Sequence, residues 1–307
     1  MIKRVVEIAR QGARLSIRRD QLVIDTESAD PHEVPCEDVG LLLVEHPATR
    51  ITQHVLARLA ELGAAVVICS RTHLPAAIVT PVGCHSEWTA RQRVQLAAGK
   101  PLQKRLWQTI VREKIRRQAA GLDDGTPARK RLTAMTQEVR SGDPGNLEAQ
   151  AARIYWTARF GTGFRRDPDG PWPNPILNYG YTVVRAAVAR AVVSAGLNAA
   201  FGVHHSNRGN AFCLADDLVE PFRPRVDEAA RGLTEAGETS VTPRCKKAML
   251  GVLYETVQLD GDRGPFMVSL HRLAANLWRC YEGSEKTIRF PMWSEPWTIT
   301  GTGTCGS

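Results

Sequence analysis

The first eighty residues alternate apolar and polar positions over short stretches, which is typical of β-strands. In ARLSIRRDQLVIDT at 13–26 the alternation continues on both sides of Asp20, a pattern that predicts a β-hairpin. VGLLLVEH at 39–46 and AAVVICS at 64–70 are apolar runs of the length of buried strands. Between them, TRITQHVLARLAELG has helical spacing and ends at Gly63, a favourable residue for a helix C-terminus. This region is therefore predicted to be β-rich with one helix.

From about residue 87 the apolar positions recur every three to four residues, which is the period of an α-helix. The run ARQRVQLAAGKPLQKRLWQTIVREKIRRQAAGL at 90–122 predicts helix with an interruption near Gly99–Pro101, because proline cannot continue a helix. The change of pattern falls in PVGCHSEWT at 81–89. The sequence therefore predicts an α+β protein in which strands come first and helices follow.

We place the domains accordingly. A small β-rich domain is predicted over 1–84 and a larger all-helical domain over 85–292. The tail over 293–307 ends in TITGTGTCGS and is expected to be disordered, since small polar residues cannot bury enough surface to hold one structure.

The charge balance favours a polyanionic partner. Lys and Arg outnumber Asp and Glu by 40 to 32, which gives a formal net charge of +8. Nucleic acid is the leading candidate and an anionic membrane surface the second. No apolar run is long enough to span a bilayer, and MIKRVVEIARQGARL has no uninterrupted apolar core of a signal peptide. We expect a cytoplasmic protein.

Basic residues are concentrated in the helical run at 91–118, which carries nine of them and one acid, Glu113. Such an excess suits a helix that follows a phosphate backbone. The alternative, a solvated face whose compensating acids lie elsewhere in the fold, has equal weight. The candidate DNA-binding residues are Lys104, Arg105, Arg112 and Arg116, together with Arg208 further along the chain.

The candidate chemistry lies in GVHHSNRGNAFCLADDLVEPFRPR at 202–225. If the acidic run is helical, Asp216, Asp217 and Glu220 share one face, where like charges repel unless a cation lies between them. A divalent metal would serve, with His204 or His205 as a nitrogen ligand. The alternative is ordinary: acids are favoured in a first helical turn, and a histidine near an apolar run is more often a core side chain.

A third candidate ligand lies upstream, in SGDPGNLEAQAARIYWTARFG. Asn146 is a plausible N-cap of an amphipathic helix, and Glu148 follows in its first turn. There the carboxylate can simply complement the helix dipole, without any metal. Sequence spacing alone does not show whether Glu148 meets the acidic run.

The order of these motifs resembles a known family. The helix E-x-x-A-A-R-x-Y-W, the turn L-N-Y-G-Y, and G-x-H-H-x-x-R-G followed by D-L-x-E-P-F-R-P are similar to the integrase of CRISPR adaptation, the Cas-one family. The likeness extends to about residue 292. LWQTIVREKIRRQA, HHSN and DLVEPFRP most resemble the members that accompany type II effector nucleases.

The resemblance implies a site and a fold. It assigns the metal ligands, which are also the catalytic residues, to Glu148, His205 and Glu220. Asp217 matches an acidic position near the site, and His204 a position expected to pack or to support the ligands. The family's N-terminal β domain builds a homodimer, and its helical domain holds the site.

The resemblance also implies a reaction and partners. The expected cofactor is Mg²⁺ or Mn²⁺. A protospacer 3′-hydroxyl attacks a phosphate at the leader end of the repeat array, and water in its place makes the enzyme an endonuclease. Two homodimers are bridged by the small ferredoxin-like protein Cas-two into a heterohexamer, and the type II effector nuclease also takes part.

Three other functions stay open. A non-catalytic nucleic-acid-binding scaffold explains the charge but has no use for converging ligands. A zinc hydrolase is weaker, because HH-x(14)-E lacks the spacing of zincin helices. The third is a structural role with vestigial chemistry, and the intact set of candidate ligands argues against it.

Overall fold

The computed structural model describes residues 3–9, 12–27, 29–70, 75–82 and 85–295. Its first part is β-rich with one α-helix, as the sequence predicts, and contains eight strands. In chain order these are β1 (Arg4–Ile8), β2 (Arg14–Arg18), β3 (Gln21–Thr26), β4 (Ala29–Pro35), β5 (Val39–Val44), β6 (Arg50–Ile51), α1 (Gln53–Glu61), β7 (Ala65–Cys69) and β8 (Pro75–Val79).

The strands form two four-stranded sheets, ordered β1-β5-β7-β8 and β4-β3-β2-β6. In the first sheet β5 pairs in parallel with β1 and β7, and β8 is antiparallel to β7. In the second, β2 and β3 form the predicted hairpin, with Leu15 opposite Ile24. Its turn residues Arg19 and Asp20 have φ values of 49° and 61°, the left-handed backbone that a tight hairpin turn requires.

Strand β5 is buried on both faces, which explains its continuous apolar sequence. Leu42 and Val44 pack into a core shared by the two sheets and α1. Leu41 and Leu43 point the other way and join the core of the helical region. The first sheet thus packs on one face against the second sheet and α1, and on the other face against the helical region.

The rest of the chain is mainly helical. The helices are α2 (Trp88–Leu96), α3 (Lys100–Ala120), α4 (Pro127–Glu138), α5 (Leu147–Phe160), α6 (Asn174–Ser194), α7 (Cys213–Val219), α8 (Arg223–Glu235), α9 (Pro243–Gly251) and α10 (Phe266–Glu282), with a 3-10 turn at Glu220–Phe222 between α7 and α8.

Helix α6 is the centre of this region. It is apolar around most of its circumference, and α7, α8, α9 and α10 pack against it. Helix α3 packs against α4, α5 and the 3-10 turn. This arrangement brings together the starts of α5 and α8, the end of α7 and the middle of α3.

The α+β class is confirmed, but the second region is not wholly helical. A small sheet, ordered β10-β9-β11, is formed by β9 (Thr256–Leu259), β10 (Asp262–Pro265) and β11 (Met292–Trp293). The predicted tail therefore begins inside a strand, and residues 296–307 lie outside the described residues. The described part of the chain contains no helix both long and apolar enough to cross a membrane.

Candidate metal centre

Two of the predicted ligands, Glu148 and Glu220, face each other across one cation. The Lys114 ammonium nitrogen lies 2.6 Å from Oε1 of Glu148 and 2.5 Å from Oε2 of Glu220. The two carboxylate oxygens are therefore within about 5 Å of each other. The side chains of Lys114, Glu148 and Glu220 are 10%, 25% and 6% exposed, so water screens these charges weakly.

The start of α5 orients Glu148. Oδ1 and Oδ2 of Asp143 accept hydrogen bonds from the backbone N–H groups of Leu147 (2.9 Å) and Glu148 (3.0 Å). The predicted cap, Asn146, occupies the residue before the helix but makes no side-chain capping bond, and its φ is 49°. Asp143 therefore caps the helix through its side chain, which corrects the prediction for Asn146.

His205 is held by a buried carboxylate. Nδ1 of His205 lies 2.6 Å from Oδ1 of Asp217, whose side chain is 0% exposed. Because an ionised carboxylate can only accept, Nδ1 carries the hydrogen and the neutral ring has its lone pair on Nε2. The hydrogen bond to Asp217 raises the pKa of His205 against the opposing effect of burial, and the charges of Glu220 and Glu148 add to the rise. The imidazole therefore lies within the field of both carboxylates.

Asp217 also fixes the backbone of the turn at 202–205, which we call the histidine turn. It accepts hydrogen bonds from the N–H groups of Val203 (2.5 Å), His204 (2.9 Å) and His205 (3.2 Å). A β-carbon on Gly202 would lie 2.3 Å from the His205 carbonyl oxygen and 2.7 Å from Oδ2 of Asp217. Only glycine fits at Gly202, because the turn must close tightly over the carboxylate.

His204 contacts the core residue Trp107. Its ring stacks parallel to Trp107, with the ring centroids 4.1 Å apart and an interplanar angle of 4°. Trp107 is buried in the core, so this stacking anchors the histidine turn to the core. His205 meets the same ring edge-on, with centroids 5.8 Å apart.

Two neighbouring cations, Arg223 and Lys114, stabilise the ionised form of Glu220. Burial raises its pKa, but Arg223 and Lys114 more than offset this effect and hold it below the usual value. Arg223 contacts Oε1 at 3.1 Å, while Oε2 makes no hydrogen bond of suitable geometry to any described residue despite its close contact with Lys114. Burial lowers the pKa of Lys114, but Glu220 and Glu148 reverse the shift, so it stays charged.

These donors fit a hard divalent ion. They offer two carboxylates, one of them with a poorly satisfied buried oxygen, and one imidazole nitrogen whose other nitrogen is fixed by hydrogen bonding. The described side chains form no preassembled cluster of three His, Cys, Asp or Glu ligands, and the Lys114 ammonium lies between the two glutamates. An ion would have to replace it.

Asp216 does not join the site. It pairs with Arg185, at 2.5 and 3.0 Å, and accepts a hydrogen bond from Asn210. The prediction that the acidic run shares one face is therefore wrong for Asp216. Asp217 and Glu220 do lie toward the site, but Asp217 faces the histidine turn and Glu220 faces Lys114.

The basic run on α3 divides into surface and interior residues. Lys114 and Arg117 point inward, and Arg117 pairs with Glu113 at 2.6 Å. Arg116 is exposed but pairs with the same carboxylate, while Arg112 donates to the carbonyl of Val139 at 2.9 Å. The DNA-binding candidates Lys104, Arg105, Arg112, Arg116 and Arg208 are all exposed.

The charge pattern of the run at 91–118 did not predict the buried position of Lys114. The signal was its position: Lys114 follows Ile110 and Val111 by four and three residues, on the same helix face. A charged residue in an apolar stripe indicates a buried partner. Asp143, Gly202 and Arg223 were also missed, because their contacts depend on loop and helix packing.

The comparisons with known proteins agree with this architecture. A family model described as "CRISPR associated protein Cas1", the Cas-one family, matches residues 6–243. The "CRISPR-associated endonuclease Cas1" of Neisseria meningitidis serogroup C (strain 8013) is 37% identical over 273 residues, covering 88% of this chain and 89% of the relative.

Solved structures share the fold at lower identity. A "Casposase bound to integration product" superposes with a TM-score of 0.80 at 18% identity, covering 98% of this chain and 96% of that one. A "Cas6-RT-Cas1–Cas2 complex" gives a TM-score of 0.73 at 19% identity, covering 92% of this chain and 35% of the longer one. With most of its length matched by the family model and by a relative more than a third identical, the chain belongs to the Cas1 family of CRISPR-associated proteins.

Proposed function

We propose that this chain is a metal-dependent DNA integrase and endonuclease of CRISPR adaptation. The observation that carries the proposal is that Glu148 and Glu220 share one cation position, while the carboxylate-backed His205 is electrostatically coupled to both. The Neisseria relative is named an endonuclease, and the superposed casposase is bound to an integration product. Both names support phosphodiester chemistry on DNA.

Glu148, Glu220 and Nε2 of His205 would hold Mg²⁺ or Mn²⁺. When bound, such an ion polarises a phosphodiester and lowers the pKa of an attacking hydroxyl. The two carboxylates bring the negative charge that attracts the ion, and the imidazole brings a nitrogen that increases tolerance for manganese. No thiolate lies among these donors, which does not favour zinc.

The surrounding residues keep the ligands in place. Asp217 fixes the tautomer and orientation of His205, and Arg223 holds Oε1 of Glu220 so that Oε2 faces the site. The Asp143 cap fixes the first turn of α5 and with it Glu148. Fixed ligands reduce the reorganisation needed when charge develops on the phosphate.

The proposed reaction breaks one phosphodiester bond for each one that it forms, so it needs no external energy source. The protospacer 3′-oxygen forms a new bond to phosphorus as the bond from that phosphorus to the 3′-oxygen of the repeat strand breaks. The attacking hydroxyl loses a proton and the leaving 3′-oxygen gains one, so the number of phosphodiesters is unchanged. Water in place of the 3′-hydroxyl gives hydrolysis and a nicked strand.

The proposed partners follow from charge and from the relatives. DNA, as the protospacer duplex and the repeat with its leader, suits a chain of net charge +8 with exposed basic residues on α3. A solved complex of similar fold contains Cas2, so we include a Cas-two partner in a heterohexamer built on homodimers of this chain. The type II effector nuclease and a cytoplasmic location stay part of the proposal.

A strand-transfer assay tests the function. The protein and its small partner are mixed with a labelled duplex bearing free 3′-hydroxyls and a supercoiled repeat plasmid, with Mg²⁺, Mn²⁺ or chelator. We expect covalent joining that needs metal and is lost in His205→Ala. His54→Ala, which changes an exposed histidine on α1, is the matched control and should retain activity. DNA binding without joining would indicate the scaffold function instead.

A further inference from the structure

Lys114 occupies the position that a shared metal ion would take. Its ammonium lies between Glu148 and Glu220, within 2.6 Å of an oxygen of each. Oxygen ligands approach Mg²⁺ or Mn²⁺ at about 2.0–2.2 Å, so an ion shared by these oxygens would lie in the same space. The ammonium and the ion cannot be there together.

The ammonium is needed when no metal is present. The Glu220 carboxylate is 6% exposed, and the Glu148 oxygen facing it is at most about 5 Å away. Two like charges at this separation in a weakly screened site repel each other strongly. Arg223 neutralises Oε1 of Glu220, but the oxygens that face each other are bridged by Lys114.

We propose that Lys114 is an internal counter-cation that competes with the divalent metal for Glu148 and Glu220, and thereby sets the metal affinity of the site. The inference rests on the proposed function, since it assumes that these residues bind a metal. In the metal-free protein Lys114 keeps the carboxylates in their binding positions. On loading, the ion displaces the ammonium while helix α3 stays in place.

The chemistry of lysine suits such a displacement. Its charge is a compact ammonium on a flexible four-carbon stem, so Nζ can move without its backbone. The backbone of Lys114 lies in the middle of α3, where Val111 and Ile115 anchor the helix to the core. An arginine would form bidentate contacts that are harder to exchange for an ion.

The test is Mn²⁺ binding to metal-free protein, measured by calorimetry and by the rise of the melting temperature with added Mn²⁺. Lys114→Met removes the charge and keeps the length of the side chain. We expect its dissociation constant for Mn²⁺ to be at least about tenfold lower than that of the wild type. A tenfold change corresponds to about 1.4 kcal/mol, and breaking a buried ion pair costs more free energy than this. Its melting temperature without metal should be lower and should rise more with Mn²⁺.

The chain offers a matched control. Lys246 on α9 forms a buried ion pair with Glu45, and its side chain is 10% exposed, as is that of Lys114. Lys246→Met should also lower the melting temperature, but its dissociation constant for Mn²⁺ should equal that of the wild type. The comparison separates competition at the site from the general cost of losing a buried lysine.

The outcomes are distinct. Tighter Mn²⁺ binding in Lys114→Met alone supports the inference, and equal or weaker binding overturns it. If Lys114→Met does not fold without metal, Lys114→Gln is used, and recovery of either variant by Mn²⁺ is the supporting result. Failure of both to fold at saturating Mn²⁺, while Lys246→Met folds, contradicts competition. If the wild type and all variants bind no Mn²⁺, the metal site of the proposed function has itself failed.

Discussion

The carboxylate of Asp217 lies 2.6 Å from Nδ1 of His205 and accepts three backbone hydrogen bonds from the same turn. One buried side chain therefore fixes both the backbone and the tautomer of the proposed nitrogen ligand. The arrangement is that of a supporting carboxylate behind a metal-binding histidine.

Asp217→Asn should reduce strand transfer by about 10- to 100-fold, because the amide cannot support His205 with a full negative charge. The loss should be smaller at high Mn²⁺ concentration if it arises from weaker metal binding. Initial joining rates over a series of Mn²⁺ concentrations measure both effects. Asp216→Asn is the neighbouring control, since Asp216 pairs with Arg185 outside the site. Equal effects of the two substitutions would argue against the role of Asp217.

The two glutamates should differ in their effect on the metal-free protein. Glu220→Gln leaves Lys114 and Arg223 short of a buried negative charge, so we expect the free energy of unfolding to fall by about 3–5 kcal/mol. Glu148→Gln should cost less, because the Glu148 side chain is 25% exposed. Both should abolish joining. Urea denaturation in chelator measures the difference, and the reverse order of stability would contradict the described burial.

Asp227 should make stability depend on pH. Burial raises the pKa of this carboxyl from 3.8 to about 6, and Tyr181 donates a hydrogen bond to it. The folded state therefore binds a proton that the unfolded state has lost, so this residue makes the protein less stable as the pH rises from about 4 to 6.

Asp227→Asn removes that dependence. Relative to the wild type, the variant should gain about 2 kcal/mol of unfolding free energy on going from pH 4 to pH 7. Denaturant titrations of both proteins at the two pH values provide the comparison. A difference between the proteins that does not change with pH would show that Asp227 titrates normally in the fold.

Basic residues on α3 should act on DNA binding alone. Lys104→Ala or Arg112→Ala should weaken binding and reduce the slope of log affinity against log salt by about one, as expected for the loss of one phosphate contact. Arg116→Ala should have less effect, since the Arg116 guanidinium is already paired with Glu113. Affinity measured at several salt concentrations tests this. A slope equal to that of the wild type in all three variants would make the helix a solvated face.

Local structure was predictable where short-range sequence determines it. The hairpin at Arg19–Asp20 and the two-sided burial of β5 follow from alternation and apolar runs. Family motifs predict Glu148, His205 and Glu220 as ligands, whereas spacing could not show which of these residues meet. Helix packing places Glu148 beside Glu220, although 72 residues separate them along the chain, so no local pattern encodes their proximity.

The remaining errors have physical causes. The four-residue spacing of Asp216 and Glu220 predicts a shared helix face. In the structure Asp216 instead forms an ion pair with Arg185, outside the site. The net charge of the run predicts a surface position for Lys114, whereas the apolar helix face on which it lies determines its buried environment. Asparagine is a common N-cap residue, but here the Asp143 carboxylate, not Asn146, accepts the hydrogen bonds from the first N–H groups of the helix.

The most direct test of the site is anomalous diffraction from crystals of the protein grown with Mn²⁺. We predict one strong peak in contact with Glu148, Glu220 and Nε2 of His205, at about 2.0–2.3 Å from the ligand atoms, with the Lys114 ammonium displaced from between the carboxylates. Absence of a peak at saturating Mn²⁺, with Lys114 still bridging Glu148 and Glu220, would contradict the claim that these residues form a metal centre.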